Sequence, residues 1–209
     1  MSRMEQPAPV PLESGDRLAR EEFHRRYTLR PDIHKAELID GVVYVTRRVR
    51  FAHGETHGVL MGCLGVYSAY HPDVHVYGPV TIFLDDRNEV QPDVSLAREQ
   101  SLASRLWETE DGFFAGVPDL IGEVAESDAA YDLHDKLESY RRAGVPEYIV
   151  WSIFENDIRW LILRDGQYVP LEPDEHGIIE SAHFPGLRLN VPAMLSGNRA
   201  AVLAAVLNR

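Results

Sequence analysis

Two carboxylates on apolar strands and a lysine on the helix between two of those strands hold the most chemistry in this chain. The stretch from Val117 to Val150, VPDLIGEVAESDAAYDLHDKLESYRRAGVPEYIV, predicts a buried strand bearing Glu123, a helix bearing Lys136, then a second buried strand. About 30 residues before Glu123, QPDVSLA places Asp93 at the start of a third strand. Two such acids and a nearby ammonium can bind Mg²⁺ and activate water for phosphodiester cleavage. Side chains alternate between faces along DLIGEVA. A carboxylate there needs a cation or hydrogen bonds, because burying it unpaired is expensive. A structural salt bridge would meet the same need.

PDVSLA and PDLIGEVA share a shape: proline, aspartate, then a strand. Proline suits strand entry, where its missing N–H is harmless. An acid just after it sits at the sheet rim, where ligands gather; Asp93 and Asp119 could equally cap strand starts. On the helix, Asp128, Asp132, Lys136 and Tyr140 are spaced by four and share a face. Lys136 lies at the border of the inward stripe of Ala129, Leu133, Leu137 and Tyr140. Taken alone, an Asp132–Lys136 surface pair worth about 0.3–0.5 kcal/mol accounts for it. The combination carries the metal-site reading.

Two further groups invite chemistry. HGETH places His53 and His57 four apart, but Gly54 stands where a metalloprotease helix has glutamate, and no third zinc ligand is obvious. A helix N-terminus with polar side chains is the plainer reading. Arg47, Arg48 and Arg50 form the one tight basic cluster, either a solvated loop or a phosphate contact beside Glu37.

The elements that must position these groups are legible. Residues 1–14 are Pro-rich and polar, a disordered tail. Ser14 can cap a helix over 16–27. Asp40-Gly41 between apolar runs is a hairpin signal. Val59, Leu60, Cys63, Leu64, Tyr67 and Tyr70 recur at helical spacing over 55–70. VHVYGPVTIFL reads as a strand, turned by Asp85–Asn88 towards PDVSLA. Residues 98–116 read as an excursion with a small hairpin at Asp111-Gly112. A helix over 128–143 ends at Gly144. EYIVW, DIRWLIL and QYVPL continue the sheet, and NRAAVLAAVLNR is a helix. Residues 15–209 form one mixed α/β domain.

With 209 residues and 44% hydrophobic content, the chain can bury a real core. The net charge of −12 is unusual for a nucleic-acid binder, which needs clustered cations or bound metal ions. Cys63 is the single cysteine, so no disulfide framework exists and a reducing cytoplasm is the natural home. The N-terminus has no apolar run resembling a signal peptide, and no window approaches a membrane helix.

ELIDGVVYV, the helix after His53, QPDVSL and GVPDLIGEV through EYIV resemble the Uma-two family over most of residues 36–170. Its members are endonucleases with the PD-(D/E)XK fold. The resemblance implies a restriction-endonuclease-like α/β fold, a mixed central sheet flanked by helices. It implies Mg²⁺, or Mn²⁺, held by Asp93 and Glu123 with the Val124 backbone carbonyl as third ligand. Position 125, where (D/E)XK puts its lysine, is Ala125; the family pattern moves that role to Lys136. Glu37 in ELIDG matches a family acid that orients water or a second metal. Glu126-Ser127-Asp128 and Trp151-Ser152 depart from the family's serine-proline and aspartate-proline. DNA is the implied partner, and a homodimer follows by analogy. Two other classes fit the residues: a catalytically silent binding module, which the −12 charge favours, and a hydrolase of a smaller phosphoester.

Overall fold

A computed structural model gives the fold; it describes residues 10–46, 50–99, 105–125 and 131–207, with the side chains of 131–133 left out. The first half of the chain runs α1 (Arg20–Thr28), β1 (Ala36–Ile39), β2 (Val42–Val45), α2 (Phe51–Tyr70), β3 (Val74–Tyr77), β4 (Ile82–Asp85), β5 (Asn88–Val90) and β6 (Val94–Arg98). Then come β7 (Leu106–Glu108), β8 (Phe114–Gly116), β9 (Leu120–Ala125), a π-helical turn (Tyr131–Lys136), α3 (Leu137–Ala143) and β10 (Glu147–Ser152). The chain closes with β11 (Asp157–Arg164), β12 (Gln167–Pro170), β13 (Ile178–Glu180), β14 (Arg188–Asn190), α4 (Val191–Leu195) and α5 (Arg199–Leu207).

The strands form two six-stranded mixed sheets and a small hairpin. One sheet has the order β2-β1-β5-β4-β8-β7, the other β12-β11-β10-β9-β6-β3. In the second, β9 and β10 are the parallel pair, and their crossover carries the π-turn and α3. Parallel neighbours require such a connection, so Lys136 necessarily rides over the sheet beside Glu123. Pairing of Val94 with Gly122 brings the start of β6 alongside the middle of β9.

Alternation along β9 sends Leu120 and Val124 to a core shared with Leu60 and Leu64 of α2, and Ile121 and Ala125 to a core shared with Tyr140 of α3 and Ile82 of the first sheet. Glu123 follows the second set. A third cluster, with Phe23, Leu38 and Val43, lies under α1. Gly122 lets α2 settle on β9: a Cβ there would lie 2.7 Å from Val94 Cγ1 and 3.0 Å from Leu60 Cδ2. Gly122→Ala is therefore expected to destabilise the protein by about 1–3 kcal/mol through overpacking, read as a lower urea midpoint.

Several expectations shift. Of residues 1–14, 1–9 lie outside the described residues, whereas Leu12 is buried in the α1 cluster and Ser14 Oγ accepts the Val45 amide at 2.9 Å. Ser14 therefore does not cap α1, which starts at Arg20 after an uncapped Ala19. The Asp40-Gly41 hairpin forms with φ of 50° and 76°, the left-handed pair a tight turn requires. VHVYGPVTIFL is two strands in different sheets, because Gly78-Pro79 interrupts it. The Asp85–Asn88 turn joins β4 to β5 before β6 begins. Among the described residues no helix is long and apolar enough to cross a membrane.

Candidate active site

Glu37, Asp93, Glu123 and Lys136 are all buried, with 5% exposure or less. Each comes from a different element. Glu37 lies in β1, where Gln91 N–H donates to its Oε1 at 2.7 Å. Asp93 immediately precedes β6, and its Oδ2 accepts the Val124 amide at 2.8 Å. Glu123 sits mid-β9. Lys136 closes the π-helical turn at the head of α3; such wide turns often mark functional positions. Its Nζ lies 2.9 Å from Glu123 Oε1 and 3.0 Å from Glu37 Oε2. One turn on, Tyr140 OH donates to the same Glu123 oxygen at 2.7 Å.

Lys35 and His53 form the more exposed side of the group. Lys35 Nζ is 3.9 Å from Glu37 Oε2 and 3.8 Å from Asp93 Oδ1. His53 Nε2 is 3.4 Å from Asp93 Oδ1, and His57 Nε2 donates to the Asp93 carbonyl at 2.9 Å.

The environment separates the three acids. Burial raises the Asp93 carboxyl, but the His53 hydrogen bond and the Lys35 charge outweigh it and hold the group at about 2. Burial likewise opposes ionisation of Glu37, yet Lys136, Lys35 and the Gln91 amide keep it below the usual carboxylate range. Glu123 goes the other way: burial pushes it up to about 7, Lys136 offsetting this only in part and Asp93 adding repulsion. Burial and the Glu123 charge raise Tyr140 well above its ordinary value, so it stays a neutral donor. Strong, divergent shifts within one small cluster mark candidate functional groups.

The Uma2 family model, described as "Putative restriction endonuclease", matches residues 20–192. The chain belongs to the Uma2 family. Among solved structures, this Uma2 chain is similar to "a putative nuclease belonging to DUF820" from Anabaena variabilis ATCC 29413. That likeness has a TM-score of 0.61 at 13% identity, covering 77% of this chain and 89% of the other. No curated protein matches. The shared architecture is the mixed α/β, restriction-endonuclease-like fold, and family and fold together point to a nuclease.

In this Uma2 chain the four side chains singled out from sequence converge. Val124 stands beside them, with its amide on Asp93. Lys136 is at the centre, 2% exposed, with Glu123 and Glu37 within reach of its Nζ, while the Asp132 side chain of the expected helix pair lies outside the described residues. The second Pro-Asp is structural: Asp119 Oδ2 accepts the Arg98 amide at 2.9 Å. His53 and His57 stack with ring centroids 6.3 Å apart and serve Asp93, one through its carboxylate and one through its carbonyl. Among the described residues, no group of three or more His, Cys, Asp and Glu is arranged to hold a metal ion as it stands. Arg47 and Arg48 lie outside the described residues, as does Glu126-Ser127-Asp128; Arg50 is exposed at the start of α2.

Sequence reasoning missed Lys35 and the pairing of Tyr140 with Glu123. Lys35 precedes Glu37 by two, so the strand period puts both on one face. Tyr140 follows Lys136 by four and shares its helix face. Those spacings were the available signals.

Proposed function

We propose that this protein is a Mg²⁺-dependent endonuclease that hydrolyses DNA phosphodiester bonds, with Mn²⁺ able to substitute. The observation that carries the reading is the Lys136 ammonium, held 2.9 Å from Glu123 and 3.0 Å from Glu37 beside the ionised Asp93. Glu37, Asp93 and Glu123 set three carboxylates against the two ammoniums of Lys35 and Lys136, and burial still keeps Glu123 as high as about 7. An oxygen-rich group short of positive charge fits a hard divalent cation.

Asp93, Glu123 and the Val124 carbonyl would hold that cation. When bound, it supplies Lewis-acid stabilisation of the phosphoryl oxygens and lowers the pKa of its water. The protein's own groups do the rest. The Val124 amide fixes the Asp93 carboxylate, and Tyr140 fixes that of Glu123. Glu37 aims the Lys136 ammonium, which orients the attacking water and stabilises developing charge. His53 and Lys35 keep Asp93 ionised from the more exposed side.

Nicking of supercoiled plasmid tests the reading. Wild type should nick with Mg²⁺ or Mn²⁺ and stop in EDTA. Asp93→Asn, whose carbonyl can still accept the Val124 amide, should lose about 10³-fold, since ligand-held cations contribute several kcal/mol. Unaltered cleavage by the variant would misplace the site. A wild type that neither nicks nor binds metal by calorimetry would make the chain a silent binding module.

A further inference from the structure

We propose that Lys35 binds the phosphate being cut: its ammonium stays with the acid cluster until a divalent cation is held there, and then turns to the phosphodiester. This inference rests on the nuclease reading above and adds a substrate-binding residue to that site.

Lys35 stands one residue before β1, at the open end of the β1–β2 hairpin, where its carbonyl accepts the Thr46 amide at 2.9 Å. The backbone is therefore fixed, while a flexible four-carbon stem carries the charge towards the acids. Its Nζ comes to 3.8 Å from Asp93 Oδ1 and 3.9 Å from Glu37 Oε2. Both separations are too long for a hydrogen bond. Neither carboxylate needs one from Lys35. Glu37 has the Gln91 amide on Oε1 and Lys136 on Oε2. Asp93 has His53 on Oδ1 and the Val124 amide on Oδ2. Lys35 serves these acids through its charge alone.

Access singles out the same residue. Glu37, Glu123, Lys136 and Tyr140 form a closed inner wall, each 2% exposed or less. Lys136 is bound at short range to two carboxylates and cannot extend outwards to a substrate. The Lys35 side chain keeps 23% of its surface exposed, and together with His53 it borders the more open side of the cluster. A phosphate arriving there meets Lys35 before it meets the inner wall.

Charge decides when the contact forms. Without a metal ion, three carboxylates face the two ammoniums of Lys35 and Lys136, and Lys35 is drawn inwards. With a divalent cation on Asp93 and Glu123 that sum reverses, and Lys35, held by no hydrogen bond to the acids, is the group displaced. A phosphodiester then offers it both a counter-charge and acceptor oxygens. A permanent counter-ion would instead be buried at hydrogen-bond distance, as Lys136 is.

The test is fluorescence anisotropy of a short labelled duplex with phosphorothioate linkages, which slow cutting, in Mg²⁺ and in EDTA. In Mg²⁺, Lys35→Met should weaken binding roughly ten-fold, the loss of a charged hydrogen bond. The salt dependence of binding should fall by about one ion, and Lys35→Arg should keep wild-type affinity. In EDTA, wild type and Lys35→Met should bind alike. Calorimetry with Mg²⁺ alone should show Lys35→Met holding the metal several-fold more tightly, because a competing cation is gone. Equal binding in Mg²⁺ by wild type and a folded Lys35→Met overturns the proposal, as does a wild type that binds no duplex there. So does an equal loss in Mg²⁺ and EDTA, the mark of a general surface charge, or weaker metal binding by Lys35→Met, the mark of a residue that builds the metal site. Plasmid cleavage run in parallel separates the two readings. Lys35-dependent binding in Mg²⁺ without cleavage keeps the contact and removes the nuclease. Asp93-dependent nicking that Lys35→Met leaves unchanged does the reverse.

Discussion

Lys136→Met is expected to reduce metal-dependent cleavage by roughly 10²- to 10³-fold, the usual loss when a preorganised charge-stabilising group is removed. It is also expected to cost about 3–5 kcal/mol of stability, because it leaves buried carboxylates without their cation. Lys136 is 2% exposed and spans Glu37 and Glu123; no water can take its place without reopening the core. For a chain of this size that loss corresponds to a fall in Tm of about 10 °C.

The two effects separate in a double-mutant cycle. Glu123→Gln removes the charge that Lys136 faces, so Glu123→Gln with Lys136→Met should cost less than the sum of the single changes by more than about 1 kcal/mol. Urea denaturation reads the coupling, and nicking at a temperature where all variants are folded reads the catalysis. Additive stabilities would mean that Lys136 does not depend on Glu123. Full cleavage by a folded Lys136→Met variant would remove the lysine from the mechanism.

Glu147→Ala is expected to destabilise the protein by about 4 kcal/mol, again about 10 °C in Tm, through a different cause. Glu147 is fully buried at the start of β10 and faces the α2 side of the sheet. Its oxygens accept from Trp160 Nε1 at 2.9 Å, from Ser181 Oγ at 2.8 Å and from the amides of Ala182 and His183 at 2.8 and 2.9 Å. Truncation would strand these donors in the interior and release the segment after β13 from the sheet. Cleavage measured well below the lowered Tm should persist, since Glu147 belongs to the opposite face from Glu123. Loss of cleavage in a variant shown by circular dichroism to be folded would contradict that separation.

Glu123 and Glu147 show how far the primary structure reads. Each is an acid at the border or centre of an apolar strand, and both strands are buried from end to end. The Pro-Asp pair poses the same ambiguity. Asp93 joins the acid cluster, whereas Asp119 fastens β9 to β6 through the Arg98 amide. Glu89 is a further buried acid, beneath α1 against His24 at 3.0 Å, with its carboxyl raised by burial. Local pattern identifies such carboxylates as costly. It does not say which of them meets hydrogen-bond donors and which meets a lysine.

The amino-acid sequence by itself determined the elements and the reactive residue types: the Asp-Gly hairpin, the α2 stripe, the Pro-Asp strand entries, the β9–helix–β10 crossover with Glu123 and Lys136 on it, and membership of the family. These are short-range properties, set by turn geometry, side-chain periodicity and backbone preference. Tertiary structure alone decided that the strands divide into two sheets, which brings Glu37 from β1 to the lysine. It also decided that Lys136 points inward, that His53 and His57 attend Asp93 without converging as a metal pair, and that Glu147 is satisfied by a loop 34 to 36 residues away. Each of these depends on long-range contacts between buried groups, where the cost of desolvating a charge fixes its partner.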